Sequence, residues 1–232
     1  MKVNNLKQNK VDKKKNKKKR RRKILFLLII ILLLVGGLFV YKNYFKKSEP
    51  KIEVKSKVLD SIDEYGYTIS DTDTKLYKSK YDELKRTLTA KTIDNKKYSE
   101  LVAELFIIDF YSLDNKTSKN DVGGVEFVYT DYKTSFIDKA RDEFYKYVKS
   151  NLNDNRNQKL PIVSTIKVES SEKVDASDYF DNDDIQSIDE AYKIELSWTY
   201  KEDLGYAKES TIIVIKDGDK KFSVAKLINE EE

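Results

Sequence analysis

Carboxylates are the groups in this sequence best placed for chemistry, because the usual reagents are missing. The 232 residues include no cysteine and no histidine. Thiol catalysis, disulfides and Cys-ligated zinc are therefore excluded. So are the commonest general base and the commonest metal ligand. Three acidic features remain: Asp71-x-Asp73, the run Asp181-Asn182-Asp183-Asp184, and Asp109 inside the apolar stretch LFIIDFY. A calcium loop needs six to eight oxygens at set spacing. The stretch from Asp71 lacks the glycine and the terminal glutamate of that pattern, and the run from Asp181 has no glycine. Helix capping and a solvated loop are the favoured readings of these two.

Asp109 is the sharper case. A carboxylate on a mostly buried helix must be paired or hold its proton. It reads either as a pocket acid or as the partner of a neighbouring Lys, Arg or Tyr. Glu104 lies five residues away, off the same helix face, so a carboxylate pair for glycoside cleavage is unsupported. Gly123-Gly124 has no following Lys-Ser/Thr and reads as a turn, not a phosphate loop. No Ser–Lys nucleophile is legible, and no metal or cofactor pattern is present. Should the domain hold a ligand, the expected lining is Asp109 with Phe106, Tyr98 and Trp198. The sixteen tyrosines suit interfaces and glycan stacking. The favoured reading is that they replace Phe at half-buried positions.

Those side chains need elements to hold them. Val58 to Ser70 reads as a first strand or extended arm around Gly66. A helix should follow, capped by Asp71 or Asp73, with Leu76 or Tyr77, Tyr81, Leu84 and Leu88 at helical spacing. A second helix should start at Asp94 and be largely buried, since Tyr98, Leu101, Val102, Leu105, Phe106, Ile108 and Phe110 cover a broad face. Asp114 to Gly124 is a polar loop, and Val125 to Tyr129 a short strand or extended segment. A third helix is expected from about Asp131 to Leu152, with Phe136, Ile137, Ala140, Phe144, Val148 and Leu152 as its stripe. Beyond Pro161 the period changes from 3.6 to 2. Strands are expected at Ile162–Val168, Ala191–Tyr200, Glu209–Lys216 and Lys221–Ile228, with a turn at Asp217-Gly218. The acidic excursion from Glu172 to Asp189 takes no clear assignment. The fold class is α+β, about three helices on a curved antiparallel sheet of about four strands.

The rest of the chain is organised around a membrane. Ile24 to Tyr41 holds eighteen residues without a charge, about 27 Å as a helix, enough to cross the hydrocarbon layer. Ile24, Leu28, Leu33 and Tyr41 mark this transmembrane span, and Tyr41, Tyr44 and Phe45 form an aromatic group at its edge. Residues 1–23 carry thirteen Lys/Arg and one acidic residue, a charge of +12; the remaining 209 residues carry 32 basic and 39 acidic, a charge of −7. The positive-inside rule puts the N-terminus in the cytoplasm and the C-terminal domain outside, single-pass. Lys19, Arg20, Arg21, Arg22 and Lys23 end a run that should lie on anionic lipid headgroups. A cleaved signal peptide fits worse, since its charged region would be too long and no small-residue cleavage site follows. Residues 42–57 read as a stalk and 58–232 as the displayed domain. That domain's acidic balance argues against nucleic acid as its partner.

Helices followed by a long antiparallel meander resemble the cone-shaped nuclear transport factor 2-like fold over roughly residues 58–230. The resemblance lies in element order, with no shared residue string. Single-span bacterial proteins that display such a domain include VirB8-like assembly components of type IV secretion and the N-terminal domains of some penicillin-binding proteins. The stretch LFIIDFYSLDNKTSKNDVGGVEFV is also similar to membrane-anchored proteins of low-GC Gram-positive bacteria. The absence of histidine, cysteine and any nucleophile or metal pattern points to a non-enzymatic cell-envelope component with a protein partner. The alternative is a ligand-binding module holding a cell-wall fragment or small molecule in the mouth of the cone.

Overall fold

The computed structural model describes residues 56–181, 185 and 188–228. The basic tail with Lys19, Arg20, Arg21, Arg22 and Lys23, the span with Ile24, Leu28, Leu33 and Tyr41, and nearly all of the stalk lie outside the described residues. Among the described residues no helix is long and apolar enough to cross a membrane.

The first expected strand is a hairpin. β1 (Val58–Ile62) pairs antiparallel with β2 (Tyr67–Ser70). Gly66 sits at φ +70°, and its N–H donates to the Ile62 carbonyl at 2.9 Å. That left-handed residue reverses the chain at no steric cost. β2 turns Tyr67 and Ile69 inward and leaves Thr68 outward, the period-two alternation of a half-buried strand.

The first helix, α1 (Lys75–Leu88), buries Tyr77, Tyr81, Leu84 and Leu88 as its spacing predicts. Its cap is neither Asp71 nor Asp73. Thr74 Oγ1 accepts from the Tyr77 N–H at 3.1 Å. The two carboxylates are used just before it: Asp71 accepts from the Lys57 N–H at 2.9 Å and Asp73 from the Ser70 N–H at 2.5 Å. They fasten the hairpin's exit, which leaves the helix start to threonine.

α2 (Asn95–Tyr111) starts at the predicted cap, with Asp94 accepting from the Lys97 N–H at 3.0 Å. Twelve of its 17 residues are buried, including Glu104. A helix apolar on nearly every side needs neighbours on every side. α1 packs on one flank and the main sheet on the other.

α3 (Lys133–Asp142) is about half as long as the stripe predicts. After Asp142 the chain turns, and the Tyr145 N–H donates to the Ala140 carbonyl at 2.8 Å. Tyr145 and Val148 are buried all the same, while Tyr147 and Leu152 are exposed. Beyond Phe144 the stripe no longer runs as a helix, and Tyr145 is held from inside: its hydroxyl donates to the Phe110 carbonyl at 2.7 Å and accepts from the Gly123 N–H at 3.1 Å.

The main sheet is an antiparallel meander of β3 (Val163–Val174), β4 (Ala191–Tyr200), β5 (Glu209–Asp217) and β6 (Lys221–Ile228), in that order. β3 continues six residues past its predicted end. It pairs Lys173 with Tyr192 and Val174 with Ala191, and its register shifts after Val163 and after Val168. Ile194, Leu196, Trp198 and Tyr200 face the core as the alternation predicts. The opposite face is not uniformly wet. Ala191, Ile213 and Ile215 are buried there with Ala176 and Ile185, so the described residues between β3 and β4 fold back as a cover. This explains why Ile212 to Ile215 form a continuous buried run: both faces of β5 are occupied. Val125–Phe127 is a 3-10 turn, not a strand, and Val128 then makes one parallel bridge to Val224 of β6.

Candidate functional site

Asp109 is placed near the end of α2, where the returning loop crosses it. Its carboxylate forms an ion pair with Lys116, whose side chain is only 8% exposed. Its second oxygen accepts from the Gly124 N–H at 2.6 Å. Burial pulls the Lys116 ammonium down. Asp109, Asp121 and Asp73 together push it up further, so it remains a cation. Arg156 ties the same loop from outside, donating to the carbonyls of Lys116 at 2.8 Å and Asp114 at 2.5 Å.

The glycine pair is fitted to this arrangement. A Cβ on Gly123 would stand 2.2 Å from the Asp109 carbonyl oxygen, and one on Gly124, at φ +77°, 2.8 Å from the Phe106 ring. The Gly123-Gly124 turn is therefore the close approach of a loop to a helix. Asp109 takes up the charge of a buried lysine, which is the paired-carboxylate reading of the sequence.

Of the other three expected ligand residues, Phe106 adjoins Asp109, and Tyr98 and Trp198 lie elsewhere in the core. Tyr98 is 1% exposed. It shares a 2.8 Å hydroxyl contact with Tyr67 and accepts from the Phe222 N–H at 3.3 Å. Burial pushes its phenol up to about 12. Phe106 stacks on Phe110 and tilts against Phe136. Trp198 lies 4.9 Å from the Tyr111 ring. Phe106 and Asp109 are brought together around Gly124. Tyr98 and Trp198 do not join them.

A cavity of about 490 Å³ opens beside this region, lined by Phe110, Tyr111, Phe136, Lys139, Ala140, Glu143, Phe144 and Leu227. It lies between the end of α2, the outer face of α3 and the end of β6. The rings of Phe110 and Phe144 stack at 5.0 Å, and Phe136 lies 5.3 Å from Phe110. Lys139 and Glu143 are exposed at its edge. None of Tyr98, Phe106, Asp109 and Trp198 lines it. Phe136, Ala140 and Phe144 were legible as a stripe in the sequence. Ala140 is buried while Phe136 and Phe144 are half-buried, so the described residues only partly cover that stripe.

A second feature escaped the sequence reading. Glu126, between Val125 and Phe127, gathers three donors. Tyr77 Oη stands 2.5 Å from one carboxylate oxygen, and the Thr68 N–H and Oγ1 each stand 3.1 Å from the other. Its carboxyl stands at about 7: burial, the largest cause, and the Asp109 charge raise it, while these hydrogen bonds hold it back in part. Among the described residues no group of three or more His, Cys, Asp or Glu side chains is arranged to hold a metal ion.

No protein family, curated protein or solved structure matches the chain.

Proposed function

We propose that the chain is a single-pass membrane protein of the bacterial cell envelope. In this reading residues 1–23 lie in the cytoplasm on anionic lipid, 24–41 cross the bilayer and 42–57 form a stalk. The domain 58–232 is then displayed outside as a binding module of the nuclear transport factor 2-like kind, without catalytic chemistry of its own. The uncharged run of eighteen residues between +12 and −7 supports the topology.

The observation that carries the binding role is the aromatic cavity. Its walls are Phe110, Phe136 and Phe144, its floor Ala140 and Leu227, and its edge the oppositely charged Lys139 and Glu143. Such a site suits an apolar side chain of a partner polypeptide. The rings would bury that side chain, and the two edge charges would meet the flanking backbone or polar groups. The same rings suit the face of a sugar, so a cell-wall fragment is the second reading.

One experiment separates the two. A photo-crosslinking residue is placed at Lys139 in the full chain in its native membrane, with and without Phe144→Ala. A discrete polypeptide adduct that disappears in the Phe144→Ala background is the expected result. Loss of the adduct in favour of cross-linked glycan selects the second reading. An adduct pattern indifferent to Phe144→Ala removes the cavity from both.

A further inference from the structure

The β1–β2 hairpin, α1 and the Gly124–Phe127 turn meet at one carboxyl group. Thr68 belongs to β2, Tyr77 to α1, and Glu126 to the turn that Gly124 starts against α2. Every hydrogen bond to the carboxylate comes from a neutral donor: the Tyr77 hydroxyl at 2.5 Å and the Thr68 N–H and hydroxyl at 3.1 Å. The nearest cation is engaged elsewhere. Lys221 of β6 donates to the Glu126 backbone carbonyl at 3.0 Å and lies 4.7 Å over the Tyr67 ring. Its own ammonium is held down by burial and by Lys133. The remaining titratable groups facing Glu126 are Tyr67 on β2, Tyr77 and Tyr81 on α1, and Asp109 on α2. Asp109 repels the carboxylate, while the lysine near it is committed to Asp109.

We infer that Glu126 is a proton-operated latch, which clamps the β1–β2 hairpin and α1 to the Gly124–Phe127 turn when its carboxyl is protonated and loosens them when it ionises. The latch thereby governs how firmly the domain holds its first two strands. This device is independent of the aromatic cavity.

The direction follows from the environment. Released into water, the carboxyl returns to its ordinary value of 4.5; held in place it stands at about 7. A group raised in the closed state contributes stability that is fully present below 4.5 and is lost as pH rises through about 7. Opening of the hairpin should therefore become about thirtyfold more favourable between roughly pH 5.5 and pH 8.

Hydrogen exchange of the amides at 58–70, in the full chain reconstituted in a bilayer disc, reads this opening once intrinsic exchange rates are divided out. The expected result is protection that falls by about that factor through neutral pH in the native chain and stays level in Glu126→Gln. Tyr77→Phe keeps the ring and removes one donor to the ionised form, so its midpoint should move to higher pH. Level protection in the native chain overturns the latch. So does a fall that persists in Glu126→Gln, which would place the titration on another carboxyl such as Asp73. Should Glu126→Gln not fold, Tyr77→Phe decides alone, and an unmoved midpoint overturns the proposal.

Discussion

Asp109 and Lys116 show how little a residue's type says about its task. A carboxylate inside LFIIDFY must find a counter-charge or keep its proton, and that much is written in the sequence. Its partner is not, because Lys116 sits in a polar loop with no period to place it. Removing one member of a buried pair leaves an uncompensated charge. Lys116→Met is expected to cost about 3 kcal/mol in denaturant unfolding of the full chain. A loss below about 1 kcal/mol would mean that water reaches Asp109. Glu126 was illegible for a different reason. Its neighbours Val125 and Phe127 are apolar, but its three donors come from residues up to 58 positions away. Only the fold brings them together.

At the scale of elements, periodicity was a good guide until something from outside competed. The strands β4, β5 and β6 begin and end within a residue of their predicted limits. α2 starts at its predicted cap. α3 ends early, and just beyond it the Tyr145 hydroxyl serves two backbone groups of other segments. Tyr145→Phe would leave the Phe110 carbonyl and the Gly123 N–H without that partner inside the core. The expected cost is about 1–3 kcal/mol, measured by thermal unfolding, with helix content unchanged. A rise in helix content, with α3 extending toward Leu152, would show that the tyrosine also stops the helix. β3 exceeds its predicted length since its far half is polar on both faces and carries no alternation to read. As the sheet's outer strand it carries Lys167, Glu169, Glu172 and Lys173 and two register shifts. These are the features that keep an edge from pairing with another chain.

For the whole molecule, the α+β order was legible and the cover over the second face of the sheet was not. Acidic residues between Glu172 and Asp189 hide the few apolar ones, Ala176, Ile185 and Ile188, that anchor it. The proposed topology is tested by the missing cysteine, which makes any introduced thiol unique. A membrane-impermeant maleimide should label Lys57→Cys in intact cells and should label Lys13→Cys only after lysis. The reverse pattern would invert the molecule. One consequence of α2 concerns how the chain is made. On the proposed topology it is threaded through a translocation channel, and α2 emerges before any strand of the main sheet exists to cover it. Its oily run LVAELFIIDFY then faces the lateral opening into lipid. Glu104 and Asp109 stand within that run, and an aspartate near the middle of a membrane helix costs roughly 2.5–3.5 kcal/mol to insert. On that topology the two carboxylates would steer the segment past the bilayer, so that the first apolar run would stay in the membrane and the second would pass through.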